Sequence, residues 1–153
     1  MQAPRPEIRI LADADVDTVG QVLGLARLTQ GNGRYYVAWI ENEPVGHAYL
    51  ALKKPPVLQD VEVRAQYRRR GIARLLIAAV EDAASELGSP TLRLSVSAND
   101  DSVQRLYRSL GFRDTGQAPV TVCGTIQVRT GPLEVDDVLL TWEKTLTPGE
   151  RAT

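Results

Sequence analysis

Apolar and polar residues alternate along Glu7-Ile-Arg-Ile-Leu11, which predicts a short strand. Asp13 and Asp15 then offer caps for a helix on which Val16, Val19, Leu23 and Ala26 share one face. Gly31-Asn-Gly33 is the expected end of that element. Tyr35-Tyr-Val-Ala-Trp-Ile40 is dense in strand formers. Glu41-Asn-Glu-Pro44 predicts a turn, and Val45 to Leu52 the second arm of a hairpin. Pro55-Pro56 interrupts the chain before a third consecutive strand, Val57 to Val63.

The period then changes. Ile72, Leu75, Leu76, Ala79, Val80, Ala83 and Leu87 follow helical spacing over about five turns, and Gly88-Ser-Pro90 stops them. Thr91-Leu-Arg-Leu-Ser-Val96 predicts a strand. Val103, Leu106, Tyr107 and Leu110 mark a short helix, with its cap expected from Asn99 to Ser102 and Gly111 at its left-handed end. Thr121–Arg129 and Val138–Lys144 pair as a closing hairpin. The order β-α-β-β-β-α-β-α-β-β predicts an α/β domain: a mixed sheet with helices on both faces, its second helix a crossover. Residues 1–6, with two prolines, read as a loose tail to a single domain spanning 1–153.

Composition narrows the classes. Of 153 residues, 43% are hydrophobic and 24% charged, which suits one core in an ordinary globular domain. A net charge of -1 gives no reason for wholesale adhesion to nucleic acid or to an anionic membrane. No apolar run approaches the ~20 residues that span a bilayer, and the first residues lack the apolar stretch of a secretory signal. The single cysteine, Cys123, forms neither an internal disulfide nor a metal cluster. A cytoplasmic protein without metal is expected.

One junction carries chemistry: Val61-Glu-Val-Arg-Ala-Gln-Tyr-Arg-Arg-Arg-Gly-Ile-Ala-Arg-Leu-Leu76. A strand ends at Val63, a basic loop follows, and a long helix starts near Arg70 or Gly71. The first turn of a helix presents unpaired N–H groups and the positive end of the dipole, so it suits phosphate. Gly71 and Ala73 keep side chains clear of the backbone there. Arginines 64, 68, 69, 70 and 74 add positive charge, although an arginine run standing alone is more often a solvated face.

Arg68-x-x-Gly71-x-Ala73, with Val63 and Tyr67 before it and Leu75-Leu76 after it, resembles the acetyl-CoA signature of the GNAT acetyltransferases, Arg/Gln-x-x-Gly-x-Gly/Ala. Asn99 through Tyr107 to Gly111-Phe112 resembles the same family's second block, in the family's order. The resemblance covers nearly the whole chain. It departs at Ala65, where the family often has proline, at Ala73 in place of a second glycine, and in a short Leu11–Arg34 segment where two helices are usual.

The resemblance implies a GNAT-like, mostly antiparallel sheet of six to seven strands, splayed between strands four and five. It implies N-acetyl transfer from acetyl-CoA, without metal, to a primary amine of a small molecule or protein. The backbone of Val61 and Val63 would meet the pantetheine arm. Arg69, Arg70, Gly71, Ile72 and Ala73, with Arg74 nearby, would hold the pyrophosphate, and Arg68 would orient the loop or meet phosphate. Asn99 is either a helix cap or a ligand of the cofactor arm. Tyr107, otherwise a core aromatic, is implied as the acid that protonates the thiolate. For the base, Gln59 stands where relatives carry a carboxylate, and Asp60 and Glu62 are the alternatives, with register uncertain if the strand bulges. His47 reads as packed, and Tyr35, Tyr36, Trp39 and Trp142 as core or acceptor-site lining. Asp136-Asp137 could attract a cationic acceptor. The partners implied are acetyl-CoA and an amine, and by analogy a homodimer. A non-catalytic acyl-CoA sensor is the alternative, and nucleic-acid binding through Arg68–Arg70 is disfavoured because no aromatic platform interleaves the charges.

Overall fold

The alternating segments become neighbouring strands of one sheet. In the structure, a computed structural model that describes residues 4–146, these are β1 (Glu7–Ile10), β2 (Gly33–Ile40), β3 (Glu43–Ala51), β4 (Val57–Val63), β5 (Thr91–Ser97), β6 (Arg113–Asp114), β7 (Val120–Val128) and β8 (Gly131–Thr145). Their lateral order is β1-β2-β3-β4-β5-β8-β6, with β7 paired to β8. Of the residues expected to form a tail, 1–3 lie outside the described ones.

Every strand pair is antiparallel except β4 with β5. A parallel pair needs a crossover, and α2 (Ile72–Glu86) supplies it. The β4–β5 ladder holds only at Val57↔Arg93 and Leu58↔Leu94, so the rest of β4 lacks a partner on that side among the described residues. The mixed α/β fold and the splay expected from the sequence are both present; two-residue β6 brings the strand count to eight.

Because side chains alternate across a sheet, the strands supply two cores. On one face, α2 and α3 (Asp101–Ser109) cover Tyr36, Leu50, Leu58, Leu94 and Trp142. On the other, α1 (Val16–Leu23) covers Tyr35, Val37 and Tyr49. Leu76 of α2 is fully buried in the larger core. Leu76→Ala is expected to cost about 2–5 kcal/mol, measured as a lower denaturation midpoint at constant slope.

Three local expectations are corrected. The first helix ends at Gly24, whose left-handed φ of 66° and N–H bond to the Gly20 carbonyl stop it seven residues before Gly31. Ala26 therefore leaves the helix and lies in a loop. The cap of α3 is Asp100, not Asn99: the Asp100 carboxylate accepts the Val103 N–H at 3.1 Å. The closing hairpin turns tightly at residues 129–130, with Gly131 at φ 122°, so residues 131–137 pair with β7 rather than forming a loop.

Candidate active site

The first cleft is built where β4 stops pairing with β5. A cleft of about 450 Å³ lies between the end of β4, the start of α2 and one face of α3. Arg69 (φ 65°) and Gly71 (φ 78°) are both left-handed, which swings the chain from the strand into the helix. Gly71 is the N-cap residue, no side chain caps the helix, and no acidic residue occupies its first turn. Ile72, Ala73 and Arg74 line the cleft, and among the described residues no side chain caps their N–H groups, which stand at the positive end of a 15-residue helix. A Cβ on Gly71 would touch nothing within 4 Å, so the backbone conformation, not crowding, requires glycine.

The arginines divide the work. The Arg68 Nε donates to the Val63 carbonyl at 2.9 Å and its Nη2 to Glu62 Oε1 at 2.6 Å, which ties the loop to the strand end. Arg69 and Arg74 line the cleft, and Arg74 also donates to Ser109 Oγ at 3.1 Å. Arg70 stacks over Tyr67 instead, 5.3 Å from the ring centre. Asn99 is exposed and, like Arg70, lies outside the cleft lining.

Tyr107 forms the far wall, together with Ser102, Val103 and Leu106. It is buried against Phe112, with ring centres 5.7 Å apart. Burial pushes its hydroxyl pKa up to about 12.

Asp60 opens a second cavity. In β4 the register jumps from His47↔Glu62 to Tyr49↔Gln59, and Asp60 takes a φ of 49°. That bulge separates two carboxylates which a regular strand would place on one face. Glu62 lines the first cleft, whereas Asp60 lines a cavity of about 430 Å³ bounded by residues 26–29, Gln59 and residues 126–128 of β7. Three long-range contacts hold the bulge. The His47 Nδ1–H donates to the Asp60 carbonyl at 2.8 Å, the Tyr35 hydroxyl to Asp60 Oδ2 at 2.6 Å, and the Ala26 N–H to the same oxygen at 3.1 Å. Burial, reinforced by the Asp60 carboxylate, raises the pKa of Tyr35, so its hydroxyl stays a donor. Oδ1 of Asp60 accepts no hydrogen bond among the described residues.

The wall of this cavity is pinned from a distance. Arg129, in the β7–β8 turn, donates its backbone N–H to the Ala26 carbonyl at 3.0 Å. Its Nη2 reaches the Arg27 and Leu28 carbonyls at 3.0 and 2.9 Å, and its Nη1 reaches Asp17 at 2.9 Å. The hairpin thus closes over the loop that follows α1.

A family model for the acetyltransferase (GNAT) family matches residues 6–112. The chain belongs to the GNAT acetyltransferase family. N-acetyltransferase 8F1 of Rattus norvegicus is 33% identical over 98 residues, covering 60% of this chain and 44% of that protein; the match therefore spans less than half of the relative's length. An IAA acetyltransferase from Bacillus cereus superposes with a TM-score of 0.71 at 17% identity, covering 93% of this chain and 100% of the other. A GNAT family acetyltransferase from Elizabethkingia anophelis, solved with acetyl-CoA bound, superposes at 0.62 and 17% identity, covering 92% and 98%. At such identities these two likenesses show the fold alone.

Within this GNAT domain, the structure gathers Val61, Val63, Arg68, Arg69, Gly71, Ile72, Ala73, Arg74 and Tyr107 around one cleft and sets Asp60 in the next cavity. Asp136 and Asp137 line neither; Asp137 accepts from Ser97 Oγ and the Val138 N–H. Arg27 and Arg129 carry no signal in the sequence, because both act through contacts with residues far away in the chain. No helix of the described residues is long and apolar enough to cross a membrane.

Proposed function

We propose that this chain transfers an acetyl group from acetyl-CoA to a primary amine by direct attack in a ternary complex. The observation that supports this most is the bulge at Asp60. It puts a carboxylate in one cavity and the next residue, Val61, in the other, which supports a base at Asp60 next to a donor cleft along the same strand.

Bound acetyl-CoA would supply a thioester carbonyl and a thiol leaving group. The unpaired N–H groups at the start of α2 would hold the pyrophosphate, while Arg68 fixes the loop. The backbone of Val61 and Val63, which lacks a β5 partner, would pair with the pantetheine arm. Asp60 Oδ1 takes a proton from the acceptor amine, directly or through water, as its nitrogen bonds to the carbonyl carbon. As the C–S bond breaks, the Tyr107 hydroxyl gives its proton to sulfur, and solvent restores it. Holding both reactants in one geometry supplies much of the acceleration.

Calorimetric titration with acetyl-CoA, CoA and dephospho-CoA, followed by thiol release with a panel of amines, tests the reading. Micromolar binding and amine-dependent thiol release are expected; binding without release from any amine would favour the acyl-CoA sensor. The double variant Arg68→Glu, Gly71→Asp sets two negative charges at the anion site, and is expected to weaken CoA binding by about 100-fold or more. Wild-type affinity in that variant would remove the pyrophosphate from residues 69–73. Sedimentation velocity tests the accompanying expectation of a homodimer.

A further inference from the structure

We infer that the acceptor is an α-amino acid with an apolar side chain, whose carboxylate is held by Arg27. The inference rests on the acetyl-transfer reading for the reaction, but not for the binding. Arg27 lies on the wall of the Asp60 cavity and is only partly exposed. Its guanidinium stacks on Tyr49, 4.0 Å from the ring centre, and Nη2 donates to Gln59 Oε1. Those two contacts fix its orientation without neutralising its charge. Among the described residues no carboxylate lies within 4.0 Å of it, whereas Arg68, Arg93 and Arg129 each have one at 2.6 to 2.9 Å. A guanidinium carries five N–H donors, and a side-chain partner takes only one of these. A partly buried, oriented and uncompensated guanidinium facing a cavity suits a carboxylate, which it can grip through two parallel bonds.

The same cavity contains the opposite charge. Asp60 turns a carboxylate into it, and the two residues share Tyr35: the Arg27 backbone N–H donates to the hydroxyl at 3.1 Å, and that hydroxyl donates to Asp60 at 2.6 Å. An ammonium-binding group and a carboxylate-binding group therefore line the same cavity, which matches a molecule carrying an ammonium and a carboxylate on one carbon. On the cavity wall Leu28 and Ile126 are 53% and 47% exposed. An apolar acceptor side chain would cover them.

The test is calorimetric titration of the full chain, saturated with free CoA, with L-leucine, L-leucinamide and isoamylamine, and with L-phenylalanine and phenethylamine. At least one amino acid is expected to bind about tenfold or more tightly than its own decarboxylated amine. In Arg27→Gln the amino acid and the amine should fall within about threefold of each other, and Arg27→Lys should restore part of the preference. The wild-type comparison stands even if the variants do not fold. Neither amino acid binding more tightly than its own decarboxylated amine, leucinamide matching a leucine that does bind, or no binding by any of the five while CoA binds, overturns the inference. Thiol release from acetyl-CoA separates it from the reaction. Amine acetylation without carboxylate preference sinks the amino-acid acceptor alone, and an amino acid bound with that preference but never acetylated sinks the transfer alone.

Discussion

Tyr107→Phe is expected to lower kcat by about 10²- to 10⁴-fold while leaving CoA binding and folding in place. The substitution removes one oxygen from a buried ring that makes no side-chain hydrogen bond among the described residues, so nothing is left unpaired and the contact with Phe112 persists. The pH dependence follows from the direction of its shift. Burial raises the Tyr107 pKa from 10.0 to about 12, so the proton-donating form is retained across the assay range. Activity should therefore rise with pH as the acceptor amine loses its proton, with no alkaline fall from Tyr107 below about pH 11. The same shift bears on stability. A folded-state pKa above the unfolded value means that this contribution is complete below pH 10 and is lost as the pH rises through about 12. Wild type should lose roughly 2–3 kcal/mol more than Tyr107→Phe over that window, read from denaturant midpoints. Unchanged kcat in a folded variant would take Tyr107 out of the mechanism.

Asp60→Asn should lower kcat/KM by a comparable factor, about 10²- to 10⁴-fold, at neutral pH. Asparagine can keep the architecture: its carbonyl oxygen can accept from the Tyr35 hydroxyl and the Ala26 N–H, as Oδ2 does now. What changes is the other position, where a proton acceptor becomes an amide donor. An acceptor amine whose pKa lies above neutrality is mostly protonated at pH 7, so losing the base is felt most there and least in alkali. Glu62→Gln is the control. Its carboxylate is engaged by Arg68 at 2.6 Å and is half exposed, and a loss below about threefold is expected for a surface pair of this kind. A loss of less than tenfold at neutral pH in Asp60→Asn, with a large one in Glu62→Gln, would move the base to Glu62.

These two residues show why parts of the site can be read from the sequence and others cannot. The Arg68–Ala73 loop is a local device: a strand end, a left-handed glycine and a helix start, all within a dozen residues, and the order of residue types states it directly. Tyr107 is nearly as local, since helical spacing from Val103 puts it on the inward face. Asp60 is different. Its place depends on which face a bulge selects, and the bulge is held by Tyr35 and Ala26, 25 and 34 residues away. The Asn99 cap failed by one residue because capping depends on backbone angles: it is Asp100, at φ -112°, whose carboxylate points back at the helix.

The sequence by itself determined the alternation of strands and helices, the α/β class, the crossover and the glycine-led start of α2, because each depends on short-range periodicity or on the backbone at one junction. Only the tertiary structure decided which carboxylate enters the second cavity, that α1 stops at Gly24, and that Arg129 reaches Asp17 across 112 residues to close the hairpin over Arg27. Those outcomes depend on strand register and on two distant loops meeting, and no local pattern encodes either.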